Sequence, residues 1–155
     1  MKTMLLVWIS FFSNEYKMDP VLVEAIVRTE SSYNSQAIGP IGEIGLMQMR
    51  HEYLDNPKKY LDPYENLKEG VKRLAELKRL ENELGPFWYT AWNLGPTGAK
   101  RYNNKKGLYK HPYSKKVLAN YIKIKKEIKT RPLSMQYQYM ATTRGRNFPL
   151  VVQAE

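Results

Sequence analysis

Residues 21–30, Val-Leu-Val-Glu-Ala-Ile-Val-Arg-Thr-Glu, put apolar side chains on most sides of a helix, and such a helix is stable only when other elements surround it. The fold must be built around this segment. Asp19-Pro20 supplies its start, since aspartate caps free N–H groups and proline suits the first helical position. Stepping by whole turns gives Leu22, Ile26 and Glu30, so a carboxylic acid continues an otherwise apolar row. Beyond it come Ser31-Ser32 and a turn-rich loop, residues 32–45, with three glycines and room for short strands.

Around this centre the sequence predicts a mostly α fold with a small irregular β or loop lobe. A first core helix falls within residues 1–18, where Trp8, Ile9, Phe12 and Tyr16 recur at helical spacing. The same stretch has the outline of a secretory signal or weak anchor, but its apolar run is too short to span a bilayer. A second helix is expected over residues 65–84, with Leu67, Val71, Leu74, Leu77, Leu80 and Leu84 on one face. The segment FWYTAWN reads as a short aromatic helix closed by Leu94-Gly95-Pro96. The last helix starts near Pro112 and lays Val117, Leu118, Tyr121, Ile122 and Ile128 along one side. After Lys129, SMQYQYMATT and FPLVVQ read as strands about a hairpin at RGRN. We therefore expect one domain over residues 1–130 and a tail, 131–155, that forms a hairpin or docks a protein partner through residues 134–155.

Net charge is +10, which favours anionic partners. A nucleic-acid module using KRYNNKK and KIKKEIKTR is one reading, disfavoured because no nucleic-acid fingerprint accompanies the lysines. There is no cysteine, and His51 and His111 are far apart in sequence, so neither a thiolate nucleophile nor a metal or other cofactor is expected.

Apolar neighbours and the negative end of the helix both favour the protonated form of Glu30. An acid so placed can protonate a glycosidic oxygen near neutral pH. The bland alternative, a solvated glutamate in a last helical turn, is open on this helix alone.

Three motifs decide otherwise. Glu30-Ser31, Gly45-Leu46-Met47-Gln48 and Ala91-Trp92-Asn93-Leu94-Gly95-Pro96, followed by Tyr113 ahead of Val117-Leu118, resemble in order and spacing the soluble lytic transglycosylases and the related goose-type lysozymes. The third motif usually reads Ala-Tyr-Asn in that family, so Trp92 replaces a phenol with an indole that only donates. Gly39 stands where many relatives have serine, Arg50-His51 where they have Met-Pro, and Glu43 where a small residue is commoner.

The resemblance implies a lysozyme-like fold and cleavage of the MurNAc–GlcNAc bond of peptidoglycan, with Glu30 as the catalytic acid and a 1,6-anhydro product. It implies substrate contacts from Ser31, Met47, Gln48, Trp92, Asn93 and Tyr113, with Tyr113 orienting Glu30. Trp88 and Tyr89 are more readily read as core than as sugar platforms. Glu43, the acidic residue of the loop, is expected to face solvent beside Gly42; if it instead reached the cleft, a hydrolytic muramidase would result. A structural module that binds glycan without turnover is a further alternative. The implied site of action is the periplasm or cell wall, by an exported or virion- or assembly-associated enzyme.

Overall fold

The computed structural model describes residues 2–50, 52, 54–136 and 139. Helix α2, Pro20–Ser31, starts as its sequence dictates, with Asp19 Oδ1 accepting the Val21 N–H at 2.8 Å and Pro20 in the first turn. Residues 21–27 are all buried, Glu24 included. Burial raises the pKa of Asp19, against hydrogen bonds from Tyr121 and the helix backbone that lower it.

Two helices enclose α2. Helix α1, Lys2–Glu15, buries Leu5, Leu6, Ile9 and Phe12 and packs against α2 and α3, Pro63–Leu77. It is a core helix, as the spacing predicted. Helix α6, Pro112–Ile128, makes the most extensive packing with α2. Its buried side carries Val117, Tyr121 and Ile124, whereas Ile122, expected there, is 46% exposed. Tyr121 and Ile124 are three apart and share a face, which turns the adjacent Ile122 outward. Among the described residues no helix is long and apolar enough to cross a membrane.

The expected helix over 65–84 begins at Pro63, where Asp62 caps the Glu65 N–H at 3.0 Å. It tightens into a 3-10 turn, Lys78–Leu80, before helix α4, Glu81–Leu84. The apolar row survives this change, since Leu67, Val71, Leu74, Leu80 and Leu84 are all buried.

Each Leu-Gly-Pro sequence marks a break followed by a restart. Gly85 (φ 70°) ends α4, and Gly95 (φ 69°) interrupts α5, Ala91–Lys106. The stop expected at the second one does not hold; Pro96 begins a new run to Lys106 because proline fits a first turn. The basic run KRYNNKK thus sits on a helix with Arg101, Asn104, Lys105 and Lys106 exposed.

The small lobe is a two-residue hairpin ladder. Strand β1, Glu43–Ile44, pairs antiparallel with β2, Met49–Arg50, in the register Glu43 to Arg50 and Ile44 to Met49. A bridge from Ile38 to Ile44 extends it.

The segment expected as strand is helical over residues 133–136. Met135 is buried, and Tyr139 is 2% exposed rather than presented to a partner strand. Tyr139 and Arg131 meet Glu24, fully buried in α2: Arg131 donates two hydrogen bonds to it, at 2.9 and 2.6 Å, and the Tyr139 hydroxyl donates to it at 2.7 Å. The RGRN hairpin and FPLVVQ lie outside the described residues.

Candidate active site

Glu30 occupies the last full turn of α2, in line with the buried Leu22 and Ile26. The Tyr113 hydroxyl, from the first turn of α6, donates to Glu30 Oε1 at 2.7 Å. Burial pushes the Glu30 carboxyl up to about 7; the Tyr113 hydrogen bond and the Lys116 charge pull the other way, and the charge of Glu43 adds to the rise. Tyr113 is itself held well above the usual phenol range by burial and by facing Glu30, so it remains a donor. The helix ends abruptly beyond the acid, with Ser32 (φ 52°) and Tyr33 (φ 68°) both left-handed. The Ser31 hydroxyl donates back to the Val27 carbonyl at 3.2 Å, which leaves it lone pairs but no proton for a ligand.

Asn66 shapes the second motif, and the sequence did not single it out. Its amide donates to the carbonyls of Ile44 (3.0 Å) and Tyr60 (2.8 Å) and accepts the Met47 N–H at 3.0 Å. Gly45 (φ 73°) is needed here, because a Cβ would run into that amide and the Tyr60 carbonyl. A polar residue beside Leu67 on a buried row was the available signal.

The Met47 side chain is fully buried against Gly70, so it does not line the site as expected. Its carbonyl instead accepts the Trp92 indole N–H at 3.1 Å. Gln48 adopts a left-handed backbone (φ 48°), a conformation that costs about 1 kcal/mol in a residue with a side chain. Its amide donates to the carbonyls of Ala37 (3.1 Å) and Gly45 (2.9 Å). Only Oε1 is left to meet a ligand.

Glu43 does not simply face solvent. Its Oε2 accepts the Ile41 N–H at 3.1 Å, and its carboxylate lies over Gly39, where any Cβ would collide with it and with Gln48 Oε1. The absence of a side chain at 39 and the presence of one at 43 therefore fit together. This places a second acid close enough to act on Glu30.

From the third motif, Trp92 is half-buried and Asn93 exposed, and both line a groove with Gln48. Trp88 and Tyr89 are core, and Tyr89 donates to the Ser114 carbonyl at 3.2 Å. Thr90 and Ser114 share a hydroxyl hydrogen bond of 2.5 Å, which fastens this motif to the start of α6. His111 Nδ1 accepts the Tyr113 N–H at 3.2 Å and caps that same helix. Among the described residues no cluster of three His, Asp or Glu side chains is arranged to hold a metal ion.

The sequence profile of the Transglycosylase SLT domain matches residues 8–113. The chain belongs to that family. The match reaches from the first core helix to the tyrosine that holds Glu30, with all three motifs inside it. No solved structure matches the chain. SLT enzymes are lytic transglycosylases of peptidoglycan and act outside the cytoplasm. In this SLT domain Gln48, Trp92 and Asn93 line one groove, Tyr113 donates to Glu30, and the charge of Glu43 acts on Glu30.

Proposed function

We propose that this chain cleaves the MurNAc–GlcNAc bond of peptidoglycan by intramolecular transglycosylation. Glu30 protonates the leaving glycosidic oxygen as the bond to the anomeric carbon breaks. The resulting carboxylate then takes the proton of the C6 hydroxyl of the same muramic residue, whose oxygen closes onto the anomeric carbon as a 1,6-anhydro ring. Atoms balance without water, and the internal nucleophile has the advantage of proximity. The observation that carries this reading is a half-buried acid with a pKa of about 7, held at 2.7 Å by Tyr113. At neutral pH part of it holds the proton that the first step requires, and giving up that proton leaves the carboxylate that the second step requires. Gln48 Oε1, Asn93 and the exposed face of Trp92 are suited to the N-acetyl groups and sugar faces.

Hydrolysis is a second reading because Glu43 acts electrostatically on Glu30. A carboxylate on the far side of the sugar can activate water. Against it, Glu43 Oε2 is engaged by the Ile41 N–H of its own loop. Mass spectrometry of the products from purified peptidoglycan separates the two. Anhydromuropeptides as the main product, with Glu43→Gln keeping most of the rate, are expected. Reducing-end muropeptides together with a large loss in Glu43→Gln would make the enzyme a muramidase.

A further inference from the structure

Between Gly85 and Lys126 the chain has no aspartate or glutamate but ten lysines and arginines, as many as the whole net charge of +10. The other 15 cations are matched by the 15 acids. Folding gathers much of this excess on one face. Helices α5 and α6 both pack against the 3-10 turn Leu108–Lys110, and Tyr102 meets His111 edge-on with ring centres 4.7 Å apart. Around that junction stand Arg101, Lys105, Lys106, Lys110 and Lys115, all exposed. None of the five meets a carboxylate among the described residues, whereas the neighbouring Lys100 pairs with Glu83 at 2.7 Å. Like charges left unpaired on one face repel one another and draw in a polyanion.

The chemistry of the face narrows the partner. Its tyrosines hold lysines instead of offering platforms: Lys106 lies over the Tyr102 ring at 5.9 Å and Lys110 over the Tyr109 ring at 5.4 Å, with Tyr109 also against Gly107. Stacking of bases needs open rings, which disfavours a nucleic acid. A lasting hold on a membrane takes buried apolar area as well as charge, and no large aliphatic side chain is exposed over residues 100–116. Ammonium groups on flexible stems read charge and little else, which suits a flexible chain with a phosphate in every repeat. SLT enzymes act outside the cytoplasm, on the wall. We propose that this face binds a linear phosphodiester polymer attached to the wall and so holds the enzyme to its substrate without using the groove. None of the five cations lines the groove beside Gln48, Trp92 and Asn93.

The test measures binding of the full chain to purified poly(glycerol phosphate) over a range of salt concentrations. Log affinity should fall with log salt at a slope of about 3, roughly 0.7 for each of about four phosphate contacts. Lys105→Gln with Lys106→Gln and Lys110→Gln should weaken binding at low salt by about tenfold or more and lower the slope by about 2. Lys58→Gln with Lys68→Gln and Lys72→Gln removes the same charge from exposed positions elsewhere and should leave slope and affinity nearly unchanged. Equal melting temperatures verify that both variants fold. Equal losses in the two variants point to bulk charge and overturn the proposal, as does a parent that binds no polymer. Tighter binding to single-stranded DNA of the same phosphate count would make the partner a nucleic acid, and binding only to phosphatidylglycerol vesicles would make it a membrane; either overturns the polymer assignment. No turnover is read, so failure here leaves the reaction proposed above standing, and a parent that binds the polymer but cuts nothing overturns that reaction alone.

Discussion

Glu30 was legible from sequence because helical arithmetic needs no tertiary knowledge: Leu22 and Ile26 are core, and the acid one turn later inherits their surroundings. The Tyr113 contact was reachable through the motif, although the two residues lie 83 positions apart. Glu43 was not legible, since its course depends on the space over Gly39, which only the folded loop defines. The role of Gln48 was half legible; the motif marked it, but the folded loop consumes its amide protons. Replacing Tyr113 by phenylalanine removes the donor that lowers the Glu30 pKa. The acid should therefore stay protonated to higher pH, and the loosened carboxyl should cost about tenfold to a hundredfold in kcat. A pH–rate profile of Tyr113→Phe checks both: kcat falls while the alkaline limb of kcat/KM, which reports the acid of the free enzyme, moves up relative to the wild type. A lower rate with an unmoved limb would reduce Tyr113 to a packing residue.

At the scale of elements, starts were easier to read than ends. Aspartate or histidine before proline opens α2, α3 and α6, because the cap and the fixed φ are local facts. The break at Gly95 is local too, yet whether helix resumes after it depends on what the next residues pack against. Buried Ala99 provides that contact. The tail misled in the same way: its alternating tyrosines suit a strand, but a buried carboxylate over 100 residues upstream recruits Tyr139 and Arg131. Deleting everything after Thr130 leaves Glu24 buried without these partners, a loss of about 3–5 kcal/mol. Such a truncation should melt far below the full chain, and Glu24→Gln should recover part of the loss. Equal melting temperatures for the full and cut chains would detach the tail from the fold.

For the whole molecule, the mostly α architecture and its small lobe were readable, whereas the full lining of the groove was not, because Arg50, Arg73 and Arg79 reach it from separate elements and share nothing in the chain but charge. Stability of the whole molecule should also register the active site. The Glu30 pKa stands raised from 4.5 to about 7, so folding favours its protonated form; that contribution is complete below 4.5 and lost as pH rises through about 7. At pH 8 the folded protein carries an ionised acid in a poorly solvated place. Glu30→Gln should then melt a few degrees above the wild type, for about 1–3 kcal/mol, with the gap closing toward pH 5. Thermal melts at the two pH values read this directly, and a gap between variant and wild type no larger at pH 8 than at pH 5 would contradict it.

The Glu24 cluster also has a bearing on timing. A chain emerges from the ribosome at about 5–20 residues per second, and the partners of Glu24 follow it by 107 and 115 positions. The helix that carries Glu30 is therefore among the first segments made and among the last to be finished. Contacts of such long range form slowly even in a free chain. A nascent chain accordingly spends most of its synthesis with Glu30 on an incompletely packed helix, and Glu24 gains the Tyr139 hydrogen bond only when that residue has been made and docked.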